Sequence, residues 1–116
     1  MRRLAYAVAM LVIIVGCGGG APAVSPAGTP ALTLQLGAQN SLFSTRELSV
    51  AADVIFAVEL DNKDSLPHNF AVAGKQSGEI FTGPQIKTSV FNPLPAGSYR
   101  FQCDVHPEMN GTLTVN

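Results

Sequence analysis

The sequence predicts an all-β fold, a sandwich or barrel of about 85 residues that begins at residue 31. Three observations predict it. Apolar and polar residues alternate with a period of two in several segments, which is typical of strands with one buried and one exposed face. Segments rich in Gly, Pro, Asn and Asp separate them at short intervals and indicate turns. No stretch of the domain shows a convincing helical period.

Five segments carry the alternation. In chain order they are LTLQL (32–36), VIFAVEL (54–60), HNFAV (68–72), SYRFQC (98–103) and GTLTV (111–115). In the fourth segment Tyr99, Phe101 and Cys103 share one face, and in the fifth Leu113 and Val115 do so. These side chains are expected to face the core, because residues two apart lie on the same side of a strand. Cys103 is therefore expected at the inward-facing end of its strand.

Residues 1–17 are predicted to be a lipoprotein signal peptide. Two arginines precede the apolar stretch 4–15, which is too short to span a bilayer core of about 30 Å. The stretch ends in IVGC (14–17), which resembles the bacterial lipobox, in which the cysteine is lipid-modified and becomes the new N-terminus. An ordinary signal peptide with an incidental Cys17 is the alternative. The lipid-anchored form predicts an extracytoplasmic protein, in the periplasm or on the outer face of the cell membrane.

The remainder of the chain divides into a linker and one domain. Residues 18–30 are almost entirely small residues and proline and predict a flexible Gly/Ala/Pro linker, while residues 31–116 form the domain. The net charge of −1 and the pI of about 6.0 give no basic field for nucleic acid. We expect a monomer attached to the membrane through the lipid at Cys17.

The segment CDVHPEM (103–109) predicts a metal site. It places Cys103, His106 and Met109 three residues apart in the loop between the last two predicted strands. The chain has one other histidine, His68, at the start of a strand. Thiolate, imidazole and thioether are soft or intermediate donors that favour copper, and one Cys with two His and a long axial Met is the blue-copper arrangement.

Other readings of these residues remain open. Zinc accepts Cys and His, although a methionine ligand is unusual for it. A cysteine nucleophile with a histidine base leaves Met109 unexplained, and two histidines cannot supply a second copper centre, so we expect no enzyme. A copper storage or delivery protein without redox work is the main alternative, followed by a tethered interaction module without metal. Asp104 and Glu108 flank the ligands and are interpreted as solvated loop charges.

PHNF (67–70) and AGSYRFQCDVHPEMNGTLTV (96–115) resemble the cupredoxins, the blue copper proteins of the plastocyanin and amicyanin type. The short Cys-x-x-His-x-x-Met spacing is similar to that of amicyanin. The resemblance implies a Greek-key β-sandwich of seven to eight strands with one type 1 copper ion near one end.

The resemblance also implies roles for individual residues. His68, Cys103, His106 and Met109 are the expected copper ligands. The backbone of Asn69 is expected to donate a hydrogen bond to the Cys103 sulfur, and the residue to tie the two ligand loops together.

The implied function is transfer of one electron, with copper cycling between Cu(II) and Cu(I), between extracytoplasmic redox partners that dock transiently. By the same resemblance the ring of His106 is the expected edge for electron entry and exit. The sequence shows no acidic patch of the plant plastocyanin kind, so that mode of docking is not expected.

Overall fold

The computed structural model describes residues 28–116. The predicted signal peptide, its Cys17 and all but the last three residues of the predicted linker lie outside the described residues. The described part is all-β, as the alternation predicts, and it contains no helix that is long and apolar enough to cross a membrane.

Eleven strands make up the described domain. In chain order they are β1 (Leu32–Gln39), β2 (Leu42–Phe43), β3 (Glu47–Val50), β4 (Phe56–Asn62), β5 (Pro67–His68), β6 (Ala71–Val72), β7 (Gln76–Ser77), β8 (Phe81–Thr82), β9 (Gln85–Phe91), β10 (Gly97–Gln102) and β11 (Asn110–Val115). Six of them have four or more residues and five have only two, so the count exceeds the expected seven to eight because of these short strands.

The strands form two main sheets and one small pair. The first sheet has the order β2-β1-β4-β9 and the second has the order β3-β11-β10-β6-β7, while β5 pairs with β8. The β1–β4 and β3–β11 pairs are parallel and the other pairs are antiparallel. Several neighbours are distant in the chain, as in a Greek-key sandwich.

The parallel pairing of β1 with β4 fixes the direction of the first strand. Leu32 pairs with Phe56 at one end and Ala38 with Asn62 at the other. His68 follows shortly after Asn62, so β1 begins far from His68 and ends close to it. At about 3.3 Å per residue, β1 extends over about 26 Å.

Stacked phenylalanine rings form the centre of the core between the sheets. Phe56 on β4 stacks on Phe91 on β9 with ring centroids 5.3 Å apart. Phe70 contacts Phe91 edge-on at 5.4 Å and stacks on Phe101 of the opposite sheet at 5.4 Å. Aromatic rings at these separations add to the free energy gained by their burial. The two sheets are therefore held together by a continuous row of rings.

The prediction of one continuous strand over HNFAV is wrong. The structure interrupts it at Asn69 and Phe70, leaving β5 and β6 in different sheets. All five residues are buried, so no alternation of burial exists here. The alternation also does not indicate β3 and β9, which are edge strands of the two main sheets.

Candidate metal centre

His68 lies at the end of the two-residue strand β5 and is completely buried. Its position is fixed by pairing with Phe81 on β8. The preceding turn is closed by the buried side chain of Asn62, whose Nδ2 donates to the carbonyls of Leu66 at 3.0 Å and Phe81 at 2.9 Å. Its Oδ1 accepts the backbone N–H of Asp64 at 2.9 Å. One buried amide therefore holds the chain on both sides of the turn that leads to His68.

Three further candidate ligands come from the loop between β10 and β11. Cys103 directly follows β10 and Met109 directly precedes β11, and both are buried. The backbone N–H of Cys103 donates to the carbonyl of Met109 at 3.0 Å. His106 donates to the carbonyl of Cys103 at 3.3 Å, and Met109 donates to that of His106 at 2.8 Å. These bonds close the loop on itself, so the three side chains have little freedom to separate.

The donor atoms of Cys103 and the two histidines converge. The Cys103 Sγ lies 3.8 Å from Nδ1 of His68 and 3.8 Å from Nδ1 of His106. The three donor atoms all lie within 4.8 Å of one another. A sulfur and a nitrogen that bind one metal ion lie about 3.5–3.8 Å apart, given bond lengths of about 2.3 and 2.0–2.1 Å and angles of about 109–120°. The two sulfur–nitrogen distances therefore fit a shared metal ion.

The remaining candidate ligand, Met109, is 2 % exposed and packs in the same hydrophobic cluster as Cys103. Its backbone is hydrogen-bonded to those of Cys103 and His106, the other two candidate ligands of the loop. A thiolate, two imidazoles and a thioether suit copper in both oxidation states better than they suit zinc, whose structural sites use Cys and His.

A carboxylate that the sequence did not single out supports His68. Asp64 Oδ2 lies 2.8 Å from His68 Nε2, on the side of the ring opposite the sulfur. The same carboxylate accepts the backbone N–H groups of Asn40 at 2.8 Å and Ser41 at 3.0 Å. These contacts lower the pKa of Asp64, with the Ser41 amide as the largest cause, followed by the His68 hydrogen bond and the Asn40 amide. In the sequence, the one feature that could have connected Asp64 with His68 is its position four residues earlier.

The side chain of Asn69 links the two ligand segments. Its Nδ2 donates to the carbonyl of Gly78 and to Asp104 Oδ2, each at 3.0 Å, and its Oδ1 accepts the Asp104 N–H at 2.8 Å. Ser77 Oγ also donates to Asp104 Oδ2, at 2.8 Å. Asp104 is exposed, as its interpretation as a solvated loop charge requires, and its carboxylate in addition takes part in this link.

The bond expected from the backbone amide of Asn69 to the Cys103 sulfur is not present among the described residues, where the sulfur's hydrogen-bond partners are the two imidazole nitrogens. The tie between the ligand loops runs through the Asn69 side chain instead. Glu108 is exposed, as its interpretation as a loop charge requires.

Two side chains hydrogen-bond to the carbonyl of Pro107 on the outer side of the loop between β10 and β11. Pro107 O accepts hydrogen bonds from Arg100 Nη2 at 3.0 Å and from Asn110 Nδ2 at 3.1 Å. Asn110 Nδ2 also donates to the carbonyl of Glu108 at 3.1 Å. Next to these hydrogen bonds His106 is only half-buried, and its neighbours Val105 and Pro107 are exposed. The loop therefore presents His106 at the surface between apolar neighbours.

Comparisons with known proteins identify the fold and the family. The sequence model of the cupredoxin-like domain matches residues 7–115. Amicyanin from Paracoccus versutus is 31% identical over 99 residues, which are 79% of this chain and 71% of amicyanin. The crystal structure of that amicyanin matches with a TM-score of 0.56 and 28% identity, over 78% of this chain and 87% of amicyanin.

A second solved structure agrees in fold. Auracyanin A, a "blue" copper protein from Chloroflexus aurantiacus, matches with a TM-score of 0.63 and 20% identity, over 72% of this chain and 98% of auracyanin A. The family match, the all-β sandwich and the cluster of His68, Cys103 and His106 agree with one another and with a single copper ion as the cofactor. The chain therefore belongs to the cupredoxin family of blue copper proteins.

Proposed function

We propose that this protein is a one-electron carrier whose type 1 copper ion is bound by His68, Cys103, His106 and Met109. The observation that carries the proposal is the convergence of the Cys103 Sγ with the Nδ1 atoms of both histidines within 4.8 Å. The bound copper supplies a Cu(II)/Cu(I) couple. The amicyanin and auracyanin relatives support the assignment.

The chain contributes a ligand set that changes little between the two oxidation states. His68 and Cys103 are 0% exposed, and the loop is closed by three backbone hydrogen bonds. Closely packed protein interiors resist displacement of their side chains. A carrier with this construction transfers an electron with little rearrangement of its ligands.

His106 is the proposed site of electron entry and exit. Its Nδ1 faces the sulfur, and of the three clustered residues it alone has an accessible surface. Its exposed neighbours Val105 and Pro107 offer a partner an apolar contact around the ring. Partners that exchange electrons separate quickly, so we expect an interface that buries less than about 1,200 Å².

The protein is proposed to act outside the cytoplasm. Residues 1–17 serve as a signal peptide, Cys17 carries the lipid, and residues 18–30 form the linker to the domain. Replacing Cys17 by Ser is expected to move the protein from the detergent phase of a phase separation to the aqueous phase, while copper binding is unchanged. If both proteins partition into the aqueous phase, Cys17 is not lipidated and the protein is simply secreted.

The protein is not proposed to be an enzyme by itself. The whole chain contains two histidines, and both belong to the proposed copper site. A second, catalytic copper centre of the histidine-rich kind therefore has no ligands in this chain.

The first test is titration of the purified protein with Cu(II), followed by visible absorption and electron paramagnetic resonance spectra. We expect an intense blue thiolate-to-copper band, narrow copper hyperfine splitting and a reversible one-electron wave in voltammetry. Cys103→Ser is expected to lose the blue band, whereas Cys17→Ser, which replaces the cysteine outside the domain, is expected to keep it. Copper that a Cu(I) chelator removes within minutes would instead identify a storage or delivery protein.

A further inference from the structure

We infer that a groove on the outer face of the second sheet, lined by Arg46 and Arg100, is the surface on which a redox partner protein docks with its carboxylates. This inference rests on the electron-transfer function proposed above, because the groove adjoins the loop that carries His106. The groove is open to solvent and has a volume of about 520 Å³. The four candidate copper ligands do not line it, so it is a separate feature of the domain.

The strand register brings the two arginines to one end of the sheet. Thr112 pairs with Glu47 on β3 and with Arg100 on β10, so these three residues lie side by side across the sheet. The backbone N–H of Thr112 also donates to the carbonyl of Arg46, the residue before β3, at 2.8 Å. Because neighbouring strands lie about 4.7–4.9 Å apart, the backbones of Arg46 and Arg100 are separated by about 10 Å. One acidic segment of a partner can therefore contact both.

Both guanidinium groups have donors to offer. An arginine side chain carries N–H donors in a planar fork that matches a carboxylate. Arg100 donates from Nη2 to the carbonyl of Pro107 at 3.0 Å, which leaves its other N–H groups for a further acceptor. The two ion pairs found between residues 28 and 116 involve other side chains, so no carboxylate of that part of the chain neutralises either arginine. The hydroxyls of Ser98 and Thr112 also line the groove and can donate to a bound carboxylate.

The distribution of charge distinguishes this groove from the rest of the domain. Residues 28–116 contain five basic and eight acidic side chains, which leaves a net charge of −3. Both arginines of this part line the groove, and the three lysines, Lys63, Lys75 and Lys87, do not. Glu47 is the one acidic residue that lines it. A partner protein can place carboxylates at the arginines and a basic or uncharged group opposite Glu47, whereas a uniformly anionic surface would be repelled there.

The position of the groove places a docked partner beside His106. Asn110, which lines the groove, directly follows Met109, so the groove lies at the end of β11 that carries a candidate ligand. Arg100 is bonded to Pro107, which directly follows His106. A partner held by Arg100 is therefore next to the proposed edge for electron exchange. Exposed ion pairs are weak, so this contact orients the partner and speeds association without preventing release.

The first test is an NMR titration of the purified metal-free protein with hexaglutamate peptide at low ionic strength. We expect the backbone amide shifts to change most at Arg46, Arg100 and Thr112. The changes should disappear in 1 M salt, where the Debye length is about 3 Å. Changes centred on the three lysines, or no change at millimolar peptide, would overturn the inference. Because no copper is present, the result does not depend on the blue copper function.

Two other occupants of the groove have their own controls. Shifts of the same amides on dilution without peptide would assign the groove to a second copy of this chain. The Cys17→Ser protein should not sediment with phosphatidylglycerol vesicles. Sedimentation that is lost when Arg46 and Arg100 are replaced would assign the groove to a membrane. Either result would overturn docking of an acidic partner protein.

The second test measures oxidation of the Cu(I) protein by hexacyanoferrate(III), a trianion that takes one electron from the copper. Arg46→Gln and Arg100→Gln should each slow the reaction about 2–5-fold at low ionic strength, which is what one exposed ion pair contributes. Glu47→Gln should accelerate it. Lys75→Gln is the matched control, because it removes the same charge from the turn between β6 and β7 and should change the rate less. Equal effects of the arginine and lysine variants would show that only net charge matters and would overturn the inference.

Arg46→Gln keeps this test valid if Arg100→Gln disturbs the loop between β10 and β11. Among the described residues, the Arg46 side chain makes no hydrogen bond to that loop, unlike those of Arg100 and Asn110. Voltammetry of each variant shows whether the copper itself has changed, and a slower reaction at an unchanged potential reports docking. A wild-type protein that shows no blue band would refute the proposed function and leave the peptide titration to decide the role of the groove.

Discussion

Asn69 is joined to Asp104 by two hydrogen bonds that run in opposite senses. Its Oδ1 accepts the backbone N–H of Asp104 at 2.8 Å, while its Nδ2 donates to the Asp104 carboxylate at 3.0 Å. Asn69 directly follows His68, and Asp104 directly follows Cys103. The bonded pair therefore locks together the two chain segments that carry the proposed ligands, at a point next to each of them.

Replacing Asn69 by Ala is expected to lower the free energy of unfolding of the metal-free protein by about 1–3 kcal/mol. The variant removes the hydrogen bonds of Asn69 to the Asp104 N–H and to the Gly78 carbonyl, two partly buried bonds that each contribute about 0.5–1.5 kcal/mol. Denaturant unfolding measures the loss. Asp104→Ala is the comparison, since it retains the backbone N–H, and should cost less. Equal losses for the two variants would contradict this account.

Replacing Met109 by Leu is expected to retain the copper and raise its reduction potential. The two side chains are similar in volume, so the buried site should lose less than about 1.5 kcal/mol of stability. The thioether is lost, and the potential of such sites depends on the axial ligand. Removing a weak donor favours Cu(I). An unchanged potential would show that Met109 is a core residue and not a ligand.

Copper is expected to stabilise the folded protein. The donor atoms of His68, Cys103 and His106 lie together in the folded protein. A ligand that binds the folded state, at 100 times its dissociation constant, adds about 2.7 kcal/mol to the free energy of unfolding. Thermal unfolding with and without Cu(II) measures the effect. Cys103→Ser should reduce it strongly, whereas zinc should stabilise the wild type without producing blue colour. An equal gain in wild type and variant would mean that copper binds elsewhere.

Replacing Gly111 by Ala is expected to destabilise the domain by about 1–3 kcal/mol, as overpacking typically does. A Cβ at this position would overlap the carbonyl oxygen of Arg46 and the ring of Phe101, so strands β3, β10 and β11 would have to shift. Gly74→Ala is the matched control. Gly74 has φ +71° and open space around it, so only backbone strain of about 1–2 kcal/mol is expected. A Gly111 variant as stable as wild type would show that these strands shift freely.

The candidate ligands could be predicted from the sequence because their donor chemistry is scarce in this chain. It has two histidines, and Cys103 is the one cysteine of the domain. The fold class could also be predicted from the sequence, since Phe101 and Leu113 are buried on strands that alternate as predicted. Burial on one face of a strand leaves a period of two in the sequence, and these strands have it.

Other features leave no such local pattern. Most residues of β9 are at least partly exposed, because β9 is an edge strand, so its sequence does not alternate clearly. The residues around Asn69 are buried on all sides, which removes the alternation there. The role of Asp64 depends on Asn40 and Ser41, which lie 24 and 23 residues away in the chain. Only the folded hairpin brings them together.

Because β1 and β4 run parallel, the N-terminal end of β1 lies at the end of the domain far from His68. Leu32, where the strand begins, pairs with Phe56 at the pole remote from His68. Val115, the last residue of β11, pairs with Gly97 at the end of β10 that lies away from Cys103. The last strand therefore ends on the same side of the domain as the first strand begins. With the lipid anchor proposed at Cys17, the linker would join the domain at the pole without ligand residues. The His106 pole would then face away from the attachment point, so we expect exchange with partners that diffuse through the surrounding medium rather than with partners embedded beside the anchor.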